Sequence, residues 1–145
     1  MDQLLSSRRA ILKALKADSA VIAIVPAARV YPQTAPPTPT WPFIKCGSPS
    51  DVPLSATCLD GSELIMAVHG FAKARTSGGQ VVETAEDHAA RLAGAIRGAL
   101  HQRRLPLDGG GYATVRFTGR QLLMDGAEAD AFHCVANLRV RCVTA

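Results

Sequence analysis

Aromatic side chains are scarce in this sequence, at 5% of residues, so its core has to be built from small aliphatic groups, chiefly Ala, Val and Leu. Long apolar runs are missing as well. The longest, Ala20 to Val25, stops at Pro26, far short of the roughly 20 residues that a membrane span needs. Lys13 and Lys16 interrupt the stretch after Arg8 and Arg9, so no signal-peptide apolar core forms there. The expectation is a protein that is cytosolic when made, with no membrane partner. Cysteines in C-x-x-C spacing are also lacking. Cys46, Cys58, Cys134 and Cys142 are widely separated and read as reduced, buried, small hydrophobes. Cys134 and Cys142 on one strand would face the same way, yet far beyond disulfide reach.

The motifs of chemistry are equally thin. His69, His88, His101 and His133 stand at no ligand spacing with another donor, so no metal is expected. No G-x-S-x-G elbow is present, and the context of Gly47-Ser48-Pro49 is wrong for one. Asp87 and His88 are adjacent on a helix, so their side chains diverge by ~100° and cannot form a dyad. Ser77-Gly78-Gly79 precedes a helix only after several intervening residues, and Gly109-Gly110-Gly111 leads into a strand. Neither is followed by G-K-[ST], so both read as flexible loops rather than phosphate cradles. Hence no catalytic residue and no cofactor is expected, and an enzyme is not the reading.

What is present fits one ordinary domain over residues 1–145, with 48% hydrophobic and 19% charged residues. The net charge of +4 and a pI near 9.1 are mildly basic, compatible with nucleic acid or an acidic protein face without indicating either. Asp2 to Ala17 reads as an amphipathic helix with Leu4, Leu5, Ile11, Leu12 and Leu15 on one face. A short apolar turn or helix follows over Ala20 to Val25, and Arg29-Val30-Tyr31 reads as extended. Pro32 to Pro42 carries five prolines and must be an extended loop. It is either a surface connector or an arm reaching a neighbouring subunit, through Pro36, Pro37 and Pro39.

Strands are expected over Trp41 to Gly47, Val52 to Thr57 and Glu63 to Lys73, with Asp60-Gly61 as the turn between the last two. Leu64 to Val68, apolar at every position, predicts a central strand covered on both faces. Ala74 to Gln80 reads as a mobile loop with Ser77, Gly78 and Gly79 at its centre. Thr84 starts a long helix running to about Arg103, with Ala85, Ala89, Leu92, Ala93, Ile96 and Leu100 as its apolar stripe. Tyr112 to Asp125 and a run through Phe132 to Cys142 alternate as strands and should pair antiparallel around Asp125-Gly126. The fold class is α+β: an antiparallel sheet with an N-terminal helix and one long helix packed on one face. If the last two strands pair, Arg116, Arg139 and Arg141 form a basic stripe, with Arg120 close by. That stripe is either a solvated sheet face or one directed toward DNA phosphates or an acidic partner.

Taken together, several short segments resemble one family. These are Leu12-Lys13-Ala14-Leu15, Ala20 to Val25, Arg29-Val30-Tyr31, the proline loop, Trp41-Pro42-Phe43-Ile44, Leu64 to Phe71, the helix from Thr84, and Asn137-Leu138-Arg139-Val140. The series is similar to the small tail terminator (tail-completion) proteins of long-tailed phages, prophages and phage-like gene transfer particles. The resemblance implies a homo-oligomeric ring, hexameric in relatives, that caps the tail tube, ends its polymerisation and meets the head-tail connector protein. It implies the tail tube protein as a second partner, and transient contact with DNA passing through the ring. It also implies assembly in the bacterial cytoplasm and residence in the virion tail. A head-completion or connector adaptor is the nearest alternative, and a small nucleic-acid-binding domain using the arginines is another.

Overall fold

The computed structural model describes residues 2–56 and 59–144. The first helix, α1 (Gln3–Ala17), begins where the Asp2 carboxylate accepts the Leu5 N–H at 3.0 Å, satisfying one of the donors a helix start leaves free. Its buried positions are Ser6, Ser7, Ile11 and Leu15. Leu5, expected on the apolar face, is instead an exposed position. The inward row runs through Ser7, Ile11 and Leu15 at four-residue spacing, and Ser7 is accommodated because its hydroxyl meets both the Gln3 carbonyl and the Cys142 thiol. A short α2 (Ser19–Ile22) and a 3₁₀ turn at Ala27–Arg29 lead into β1 (Val30–Tyr31).

The proline loop then crosses to β2 (Phe43–Cys46), followed by β3 (Ser50–Ala56) and the long β4 (Leu59–Lys73). Asp60 and Gly61, expected as a turn, lie inside β4, opposite Ser55 and Leu54. Gly61 is held in the ladder opposite Val143 of a neighbouring strand, where a Cβ added to it would stand 2.8 Å from the Cys142 carbonyl oxygen. Ala74 to Gln80, expected as a loop, belongs to a hairpin of β5 (Arg75–Ser77) and β6 (Gln80–Glu83). Gly78 and Gly79 both take positive φ at its tip, the conformation that lets two residues reverse a twisted ribbon.

After α3 (Ala85–Leu100), which stops short of the expected Arg103, comes β7 (Arg104–Pro106), in a stretch to which no element was assigned, and then β8 (Tyr112–Met124) and β9 (Ala131–Thr144). The described strands form a sheet in the order β1-β2-β4-β9-β8-β7, with β3 on the remaining half of β4. Only the β1–β2 pairing is parallel. The two long strands β4 and β9 sit at the centre.

Helix α3 lies across β4, β9 and β8. Thr84 caps it by accepting the Asp87 N–H at 3.1 Å, and every residue of the expected stripe is buried. Leu64, Met66 and Val68 face the helices, but Ile65 is 53% exposed. The expectation of a strand covered on both faces is therefore corrected: the described helices cover one face, and the other is open. An α+β fold with helices on one side of an antiparallel-dominated sheet is what forms.

Candidate functional site

The open face of the sheet divides into a basic half and an aromatic half. In the basic half, Arg116 stands directly opposite Arg139, and Thr114 opposite Arg141. Cross-strand neighbours on one face lie about 5 Å apart, and like charges there repel. Glu63, opposite Arg141 on β4, answers part of this. It receives Arg139 Nε at 2.9 Å and Arg141 Nη2 at 3.8 Å. All three side chains border water, so these pairs contribute roughly 0–1 kcal/mol each. Arg104, opposite Thr114, joins the same face and stacks over the Tyr112 ring at 4.1 Å. Sequence reading missed it, because its three-residue strand carries no periodicity. Glu63, Thr114, Arg116, Arg139 and Arg141 line a shallow depression of about 360 Å³.

Arg120 does not belong to this group. A register shift between Phe117 and Gly119 places Arg120 opposite Ala136, a core residue. The bulge turns every later residue of β8 over, so Arg120 points to the helix side. The expected stripe is thus Arg116, Arg139 and Arg141, without Arg120.

In the aromatic half, Phe43 stacks on Phe71 at 4.5 Å between centroids, and Phe71 on His133 at 4.3 Å. Trp41 stands edge-on to both phenylalanines, and Lys73 sits 4.8 Å above it. His69 Nδ1 and His133 Nε2 share one hydrogen bond of 2.7 Å. These histidines are 64 positions apart, and only the β4–β9 register joins them. Burial, the largest cause, lowers the pKa of both rings; nearby Lys45 lowers both further, and His69 also lowers His133 against a smaller upward pull from Asp125.

A folded pKa below the ordinary ~6.5 means that the unfolded chain takes up protons first. The stability this contributes is present above about pH 6.5 and lost as the pH falls through the folded values. Thermal melts between about pH 7.5 and pH 5.5 should therefore show a decline that the double variant His69→Gln/His133→Gln flattens. Equal slopes in parent and variant would remove the pair as its source.

Two further histidines pair with the backbone, and three thiols are buried. Buried His88 bonds through Nδ1 to the Lys73 carbonyl at 2.8 Å, and His101 Nδ1 accepts the Phe117 N–H at 3.1 Å. Burial pushes the thiols of Cys46 and Cys134 up to about 11 and raises that of Cys142; all three are free and buried. The expectation for Cys58 lies outside the described residues. Among the described residues no three His, Cys, Asp or Glu side chains gather as a metal would require, and no helix is long and apolar enough to cross a membrane. A depression of about 400 Å³ runs between α1 and the segment Leu105–Asp108. Its one hydroxyl, Ser6, donates to the Asp2 carbonyl at 2.9 Å.

Two projecting segments converge at one end of the sheet. Pro36 and Pro37 are exposed and Pro39 is half-buried, and their loop ends at Trp41, beneath Lys73. Lys73 in turn leads into the hairpin that carries Ser77, Gly78 and Gly79 at its tip. Val81 and Val82, neighbours on opposite faces of that ribbon, are both 58% exposed. The hairpin base is fixed by Arg91, whose Nε and Nη2 reach Glu83 at 2.8 and 2.9 Å, with Arg75 adding a third contact. These hydrogen bonds, Arg91's first, hold the Glu83 carboxyl at about 2.

A sheet face bare over its arginine half, a hairpin with apolar sides, and a proline loop beside it are surfaces of the kind found in assembly modules. The chain belongs to the family described as tail completion protein gp17, whose model matches residues 9–143. Its role is accordingly that of a structural protein of a phage-type tail. Among solved structures, 16 chains match. One, from the virion of a native gene transfer agent particle, has a TM-score of 0.76 at 20% identity and covers 97% of both chains; at that identity it speaks for the fold. No protein of curated function matches the chain.

Proposed function

We propose that copies of this chain form a closed ring at the head-proximal end of the tail tube, where the ring ends tube polymerisation and joins the tail to the head connector. The observation that carries this reading is membership of the tail completion family over residues 9–143. The likeness to a chain of a gene transfer agent virion agrees with it. A ring subunit needs two different faces that meet head to tail and close by rotation. The proline loop (Pro36, Pro37, Pro39) and the hairpin tip (Ser77, Gly78, Gly79), with Val81 and Val82 behind it, supply projecting contacts to a neighbour or to the tube. The ring is expected to be a hexamer. Its partners are the tail tube protein and the connector, with passing DNA as a transient contact. Assembly in the bacterial cytoplasm would precede residence in the particle.

The test is location. A gold tag on Lys13→Cys, an exposed position of α1, imaged by electron microscopy on purified particles, should mark a single site at the junction of head and tail. Label spread along the tube, or confined to its far tip, would reject the reading.

A further inference from the structure

We infer that the arginine half of the open sheet face is a docking site for a second copy of this chain, specifically for that copy's acidic β8–β9 turn. This rests on the reading that the protein assembles with itself, and names the contact that would do so.

The argument starts from an imbalance. Arg104, Arg116, Arg139 and Arg141 share one face, and among the described residues Glu63 is the one carboxylate that pairs with any of them. Two of these guanidinium groups, Arg116 and Arg139, are directly opposed. Glu63 serves Arg139 and Arg141, so Arg116 is left without a carboxylate. The patch is not purely polar. Ile65, opposite Arg139, and Val52, opposite Glu63, are both more than half exposed beside it. An occupant should therefore bring carboxylates together with apolar side chains. Duplex DNA offers phosphates, but along its backbone it has nothing for Ile65 and Val52.

The chain carries such a surface at the far end of the same two strands. Between β8 and β9 lie Asp125, Glu128 and Asp130, of which Glu128 forms an ion pair, with Lys73 at 3.1 Å, and Asp125 lies near His133. Directly before them stand Leu123, 40% exposed, and Met124, 77% exposed. The turn is held in shape by Asp125, whose carboxylate accepts the Ala127 N–H at 2.9 Å. It is acidic and apolar where the other patch is basic and apolar.

A single molecule cannot bring the two together. Nine positions of β8 separate Arg116 from Asp125, which at about 3.3 Å per residue is roughly 30 Å of stiff ribbon. Two copies can. The contact is then heterologous: each molecule gives its turn and receives another's, and the pattern repeats until rotation closes it. Complementary charge fixes the register and disfavours like-to-like encounters, while Met124 and Leu123 cover the apolar edge of the basic patch.

Charge reversal tests this on the full-length chain. Arg116→Glu and Glu128→Lys both alter exposed side chains, and thermal melting verifies that each variant folds. Measured by sedimentation, each alone should weaken self-association by about tenfold or more, and the weakening should shrink at high salt. The double variant Arg116→Glu/Glu128→Lys restores opposite charge across the contact and should recover to within about threefold of the parent. Single variants that assemble like the parent would overturn the inference, as would a double variant no better than the singles or a parent that stays monomeric. So would loss of binding to a 20-base-pair duplex in Arg116→Glu with self-association intact, because the face would then read as a DNA surface. Failure here leaves the location of the subunit in the particle untouched, whereas a misplaced tag rejects the terminator reading whatever the charge variants do.

Discussion

Shortening Leu92 to alanine should lower the folding stability by about 2–5 kcal/mol, seen as a fall in melting temperature of roughly 3 °C per kcal/mol. Leu92 is fully buried at the centre of the α3 stripe, and the sheet beneath it has been made to fit. A Cβ added to Gly70 would stand 2.7 Å from Leu92 Cδ2 and 2.6 Å from Cys134 Sγ. The leucine therefore occupies the space that a side chain at position 70 would need. Gly70→Ala alone should be overpacked and cost about 1–3 kcal/mol. In the Leu92→Ala background it should cost less, since one of its two clashes is gone, so the pair is less than additive. Ile65→Ala, on the open face, should stay within about 0.5 kcal/mol of the parent. Additive losses at 70 and 92 would mean that α3 does not cross β4 at Gly70. Parental melting of Leu92→Ala would mean that it does not pack there at all.

That crossing shows what the sequence could and could not convey. The helix was legible because Ala85, Ala89, Leu92, Ala93, Ile96 and Leu100 recur at a period of 3.6 residues, and burial of that stripe needs only a sheet to receive it. β9 was legible for the same kind of reason, its period of two from Phe132 to Cys142. Where a signal is a sum over many residues, it survives without tertiary knowledge. Asp60-Gly61 was misread because a turn dipeptide is judged by two residues alone, whereas its place in the ladder is decided by partners far away in sequence, Cys142 to Thr144.

The open face followed the same rule. Arg116, Arg139 and Arg141 were expected together because alternation places each on a polar side. Arg120 was lost because one bulge inverts everything beyond it; Gly119, the residue type that marks such bulges, stands at the register shift, but simple alternation runs straight through it. Arg104 could not be assigned a face without its pairing to Thr114. The His69–His133 contact was invisible for a deeper reason. Each histidine is unremarkable in its own strand, and only the register of β4 against β9 makes them neighbours. The proline loop and the hairpin tip stood out as contact candidates because loops carry function. Val81 and Val82 fall between the loop expected over Ala74 to Gln80 and the helix from Thr84, a stretch too short to show the alternation that would give it faces.

Removing the protein from its particle should leave tail tubes that polymerise but overrun their normal length and fail to join heads. A subunit that caps a growing end has no part in adding tube subunits, so its loss should lengthen tails rather than abolish them. The distinction separates a terminator from a tube component, whose loss leaves no tube. It also separates it from a head adaptor, whose loss leaves tails of normal length unattached. Deleting most of Ala35 to Thr40 should give a milder form of the same defect. Those residues lie in no helix or strand, and all but Ala35 and Pro39 are exposed. Their prolines offer few backbone donors to a core, and shortening a loop changes its closure entropy only slowly, so the protein should still fold. What the deletion removes is reach toward a neighbour, beside the hairpin and Lys73. Electron micrographs of the null and the deletion, with tail lengths measured against the parent, decide it. Normal-length tails firmly attached to filled heads in the null would end the terminator reading, and normal lengths in the deletion alone would end only the role given to Pro36, Pro37 and Pro39.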